Sequence, residues 1–182
     1  MRRAILLALA ATAFVAIQGW AIQQKDGAKP HDDAGGAGHR DGPAEHVVIM
    51  PDKIEWQDAK MLPAGAKLAV LDGDPAKEGF FTIRAKLPAG YRIPPHWHPG
   101  VERVTVLSGT FHIGAGERID EKTAAKLPAG AYTAMPKGMR HFAYVDGETE
   151  IQISSMGPWG ITYVNPADDP RKAAAPGGGA AR

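Results

Sequence analysis

The sequence predicts an all-β domain, a sandwich or closed barrel of short strands. Two observations carry this: apolar and polar residues alternate with period two over many short runs, and glycine- or proline-containing turn signals separate those runs. A third agrees with them, since no stretch shows the 3.6-residue apolar period of an amphipathic helix. Side chains two apart in a strand share a face, so each alternating run offers one apolar side to a core. In chain order the expected strands are Lys67 to Leu71, Phe80 to Lys86, Tyr91 to His96, Glu102 to Leu107, Thr110 to Gly114, Ala131 to Met135, His141 to Val145 and Thr149 to Ser155. Phe81, Ile83 and Ala85, alternating with Thr82, Arg84 and Lys86, give the clearest example of an apolar face backed by a polar one. Asp72-Gly73, Pro99-Gly100 and Asp146-Gly147 mark tight turns between runs.

The tetrapeptide Leu-Pro-Ala-Gly occurs at Leu62 to Gly65, Leu87 to Gly90 and Leu127 to Gly130, each time just before or at the start of an expected strand. The spacing is too irregular for a solenoid repeat. Proline fixes φ and glycine frees the next corner, so the motif reads as structural punctuation at strand entry.

At 182 residues the chain holds one domain once its ends are set aside. Arg2 and Arg3, the uncharged apolar run from Ala4 to Ile17, and the small residues Gly19 and Ala21 predict a signal peptide over 1–21. The run is shorter than the roughly 20 residues of a membrane-spanning helix. Retention as an uncleaved anchor is the alternative, and either leads to the periplasm or the exterior, without stable membrane insertion after cleavage. Residues 22–45 are polar and glycine-rich and predict a flexible linker; 46–166 predict the folded domain; 167–182, again proline, alanine and glycine, predict a disordered tail.

Composition removes several functions. The 21 lysines and arginines balance 20 aspartates and glutamates and are scattered, which gives no footing for nucleic acid. No cysteine is present, so a metal must be held by imidazole and carboxylate.

The chemistry concentrates in Gly90 to Gly109. His96 and His98, two apart, project from one face of a strand; Pro99-Gly100 turns the chain; Glu102 then opens the next strand with its carboxylate able to face both imidazoles. A further ligand must come from elsewhere in the barrel, and His141, following the Pro136 to Gly138 turn, is the best candidate. Arg92, four residues before His96, shares its face if the strand stays regular and would then pair with a carboxylate substrate; a solvent-facing rim arginine is the alternative. Trp97 points away from the ligands, while Tyr132, Tyr144 and Trp159 either line the mouth or are simply buried.

These two stretches resemble the paired motifs of the cupin superfamily. The first matches G(X)5HXH(X)3E(X)6G at Gly90, His96, His98, Glu102 and Gly109; the second matches G(X)5PXG(X)2H(X)3N at Gly130, Pro136, Gly138 and His141, with Val145 in place of the asparagine. The resemblance implies a single-domain cupin, a double-stranded β-helix or jelly-roll barrel, with one divalent metal on His96, His98, Glu102 and His141 and a small change of pocket wall at Val145. Iron or manganese is preferred, and nickel or zinc is chemically admissible. It further implies a small-molecule ligand or substrate and either a metal-dependent, dioxygenase-like oxidoreductase acting on a small oxygenated or carboxylated molecule, with Glu102 doubling as proton acceptor, or a non-catalytic binding or sensory module. Pairing of edge strands leads to the expectation of a homodimer.

Overall fold

The computed structural model describes residues 46–173. The expected signal peptide and linker, and the last part of the expected tail, lie outside the described residues. Among those described, the strands are β1 (Gln57–Asp58), β2 (Lys67–Asp72), β3 (Gly79–Leu87), β4 (Arg92–Trp97), β5 (Glu102–Ser108), β6 (Thr110–Ala115), β7 (Ala125–Pro128), β8 (Tyr132–Met135), β9 (His141–Val145), β10 (Thr149–Gly157) and β11 (Thr162–Tyr163). They form two antiparallel sheets, one in the order β1-β2-β3-β10-β5-β8 and the other β11-β4-β9-β6-β7. This is the jelly roll expected from the sequence. Strands far apart in sequence are neighbours, as where β10 inserts between β3 and β5.

The alternation seen in the sequence becomes the two faces of each sheet. Along β3, Phe81, Ile83, Ala85 and Leu87 are buried while Thr82, Arg84 and Lys86 are half-buried on the outside. Ile151, Ile153 and Ser155 of β10 and Val104 and Val106 of β5 continue the inner face, and Ile93, Phe111, Ile113, Ala143 and Val145 close on it from the second sheet. The outer face is laced with polar pairs: Arg84 donates to Gln152 at 3.2 Å and lies 3.5 Å from Glu150, and the hydroxyls of Thr82 and Ser154 meet at 3.2 Å. An outer layer that satisfies its own polar groups leaves the inner layer free to be hydrocarbon.

Three short strands escape the sequence pattern for a common reason. β1, β7 and β11 lie at sheet edges, two of them span only two residues, and β7 ends in Pro128, which an edge tolerates because its missing N–H has no ladder to serve. The Leu-Pro-Ala-Gly copies make the corners anticipated. In two of them the proline carbonyl accepts from the N–H three residues on, Tyr91 to Pro88 at 3.1 Å and Ala131 to Pro128 at 3.0 Å, with Gly90 and Gly130 at φ 73° and 86°. Glycine third in a four-residue turn with positive φ is the type II arrangement. In the first copy the Pro63 carbonyl instead accepts from the Tyr91 hydroxyl, which ties one corner to another.

Residues 167–173, expected within the disordered tail, are ordered. Pro166–Asp168 forms a 3-10 turn capped by Asn165, Pro170–Ala173 forms a helical turn, α1, and the Arg171 guanidinium donates to the Ile161 carbonyl at 3.0 Å as well as pairing with Asp169. Composition concealed this because one arginine fork, rather than an apolar face, fixes the segment.

Gly109, the closing glycine of the first motif, sits at φ 75° between β5 and β6. A Cβ there would lie 2.5 Å from the Glu148 carbonyl oxygen and 2.5 Å from the hydroxyl oxygen of the fully buried Thr149. That hydroxyl takes the Thr110 N–H and reaches the Thr110 and Gly147 carbonyls. Gly109→Ala therefore combines left-handed backbone strain with displacement of a buried hydrogen-bond knot, and is expected to lower stability by about 3 kcal/mol in urea unfolding.

Candidate metal centre

Four side chains converge at one end of the barrel. His96 lies on β4 directly opposite His141, the first residue of β9; His98 follows the end of β4; Glu102 opens β5 across the Pro99-Gly100 turn. All four are between 2% and 7% exposed. The ligand atoms of His96, His98 and His141 lie within 4.8 Å of one another, and Glu102 Oε2 approaches His141 Nε2 at 3.2 Å and His98 Nε2 at 3.5 Å. The structure thus gathers the four residues that the spacing singled out.

Each imidazole is oriented by the main chain. Nδ1 of His96, His98 and His141 lies 2.7, 2.8 and 2.9 Å from the carbonyl oxygens of Pro94, Gly160 and Met139. A carbonyl only accepts, so each Nδ1 carries a proton, and in the neutral ring each Nε2 then presents a bare lone pair. Two of these, on His98 and His141, are buried without a hydrogen-bond partner. The approach of Glu102 to them is not a hydrogen bond in this tautomer; it sets lone pairs against lone pairs. A proton relieves one such contact, whereas a cation relieves both. The residues therefore fit a divalent ion, in the arrangement where the far ring nitrogen is fixed by a backbone acceptor.

Electrostatics point the same way. Burial pulls the His96 imidazole down to about 3, helped by His141 and His98 beside it, and burial likewise lowers His98. Burial alone would raise the Glu102 carboxyl, but positive charge at the facing nitrogens of His141, His98 and His96 outweighs it and holds the carboxyl below the ordinary value, and a bound cation acts in the same sense. His96 and His98 are thus held neutral beside an ionised Glu102, the protonation states a metal requires of such ligands.

Around the centre lies a cavity walled by both sheets, with Leu62, Leu68, Ile83, Phe111, Ile151 and Ile161 among its lining. Its volume, the open mouth included, is about 550 Å³. Trp159 stacks on His98 with ring centroids 4.3 Å apart and meets Phe81 edge-on at 5.6 Å. Trp159 therefore belongs to the site, while Tyr132 is exposed and Tyr144 faces the other side of its sheet, stacked on His112.

Two expectations need correction. Arg92 does not share the inward face of His96: it is exposed, pairs with Glu121 at 2.6 Å and lies over Tyr144. The β4–β9 register shifts between Ile93 and His96, across Pro94 and Pro95, so Ile93 takes the inward place that even spacing assigned to Arg92. Val145 does not alter the pocket wall; it packs in the core opposite Phe111, and its N–H donates to the Tyr91 carbonyl. The spacing argument also missed the three carbonyls behind the histidines. For His96 and His141 the acceptor lies two residues earlier, a local signal that the sequence did contain.

Comparison with known proteins adds the following. The model of a family described as the ChrR cupin-like domain matches residues 44–159. Among solved structures, the polyketide cyclase RemF from Streptomyces resistomycificus is 16% identical over 70% of this chain and 92% of that one, with a TM-score of 0.58. A candidate acetylacetone dioxygenase from Methylibium petroleiphilum is 21% identical over 71% of this chain and 88% of that one, TM-score 0.56. An RmlC-like cupin from Shewanella frigidimarina is 18% identical over 62% and 91%, TM-score 0.51. At these identities the likeness is one of fold. No curated protein matches.

Proposed function

We propose, from the premise that the chain belongs to the ChrR cupin-like domain family, that it is an exported cupin holding one divalent metal on His96, His98, Glu102 and His141, and that it is a metal-dependent oxidoreductase of dioxygenase type acting on a small oxygen-bearing molecule. The observation that carries the reading is the pair of buried, unpartnered Nε2 atoms on His98 and His141, aimed at the same carboxylate. When bound, the metal supplies Lewis acidity and, as iron or manganese, one-electron chemistry with dioxygen; nickel and zinc suit the same donors. The chain's own contribution is position and dryness. Three imidazoles and one carboxylate would hold the ion, the cavity they border would admit a ligand oxygen, and its hydrocarbon wall excludes bulk water. Glu102, the one anionic group, is also the one base at the centre, placed to take a proton from a ligand that enters beside it.

A non-catalytic binding or sensory module is a second reading, since the same metal and hydrocarbon wall serve equally to hold a ligand without turning it over. The edge of β2 beyond Leu68 lacks a strand partner among the described residues, and this supports the homodimer as part of the proposal. Elemental analysis of the full chain purified from its native compartment is expected to find about one metal equivalent per chain. Dioxygen uptake by the loaded protein across candidate substrates, abolished by His98→Ala, decides for the enzyme; ligand binding without turnover decides for the sensor.

A further inference from the structure

The wall of the cavity restricts what can enter it. Besides the four candidate ligands, every side chain lining it is Ala, Ile, Leu, Met, Phe or Trp, and the Trp159 indole N–H is the sole further polar group those side chains bring. Among the described residues, none places a hydroxyl, amide, lysine or arginine on the wall. Arg92, the basic residue expected there, is outside and already paired with Glu121. A hydroxyl or second charge on a bound molecule would therefore give up its water and find no replacement partner.

The charge of the centre sets the other limit. Imidazoles that hold a metal do so as neutral rings, here with Nδ1 on the Pro94, Gly160 and Met139 carbonyls, so a divalent ion and the Glu102 carboxylate leave one net positive charge. In a hydrocarbon enclosure a single negative charge on the incoming donor cancels that excess, and a second has nothing to meet.

We infer that the ligand of this centre is a singly charged oxygen acid with a short hydrocarbon body, its acid group toward the metal and its body against Leu62, Ile83, Phe111 and Ile151. The inference rests on the metal reading above and narrows it, since it excludes sugars, dicarboxylates and other oxygen-rich molecules.

Three acids test it on the zinc-loaded full chain, where no turnover interferes: butanoate; 3-hydroxypropanoate, in which a hydroxyl replaces the terminal methyl; and succinate, which carries a second carboxylate. Calorimetric titration should show butanoate binding at least about tenfold more tightly than 3-hydroxypropanoate, with succinate weaker still. Equal or tighter binding of either polar acid overturns the inference, as does the failure of all three to bind a chain that holds its zinc. A chain that takes up no zinc overturns the metal reading, and this inference with it; zinc uptake is measured first, so the two failures are told apart.

Discussion

Replacing His141 by alanine is expected to leave a folded chain that binds zinc at least about a hundredfold more weakly than the parent. His141 supplies one of the two orphaned Nε2 atoms and stands closest to Glu102, so its loss removes a ligand and the group that faces the carboxylate. Substitution of residues that merely orient metal ligands costs about 10- to 100-fold in affinity, and loss of a ligand exceeds that. Competition against a chromophoric chelator measures the constant, and the zinc-dependent rise in melting temperature should shrink in proportion. Arg92→Ala is the control: exposed and paired with Glu121, it should leave zinc affinity at the parental value. Parental affinity in His141→Ala would remove His141 from the ligand set.

Phe81→Ala is expected to be the most destabilising single substitution in the core. Phe81, the third residue of β3, is wholly buried, and truncation of such a residue costs about 3–5 kcal/mol, transfer and cavity effects combined. Its edge contact with Trp159 contributes about 1 kcal/mol of this, so the cavity dominates. A local consequence follows as well. Trp159 loses the ring that props it against His98, yet His98 keeps its Gly160 carbonyl. Urea unfolding should therefore show a large loss of stability while zinc affinity falls by less than about tenfold. A drop in affinity as severe as that of His141→Ala would mean that Trp159, rather than Gly160, orients His98.

These outcomes bear on what the sequence made legible. The eight expected strands follow from short apolar runs, most of them with one face on the core, set between turn signals, and the four converging side chains follow from two-residue spacing and a turn. Where parity breaks, the reading breaks too. Pro94 and Pro95 cannot donate to a ladder, the register slips beside them, and the count from His96 back to Arg92 lands on the wrong face. β1 and β11 carry too few residues to show a period, and β7 buries no face that would impose one. The segment around Arg171 is held by one guanidinium, which composition does not weigh, and the role of Trp159 depends on contacts with Phe81 and His98, far off in sequence, that no local pattern encodes.

The carbonyl oxygens behind the three imidazoles have a consequence for how such a protein can change over time. In many metal sites the groups that steer the ligands are side chains, and a single codon change can remove one. Here the steering groups at Pro94, Met139 and Gly160 are peptide oxygens, present whatever residue occupies those positions. Substitutions on the cavity wall can accordingly refit the chamber to a new molecule while the orientation of the metal-facing nitrogens is inherited with the backbone.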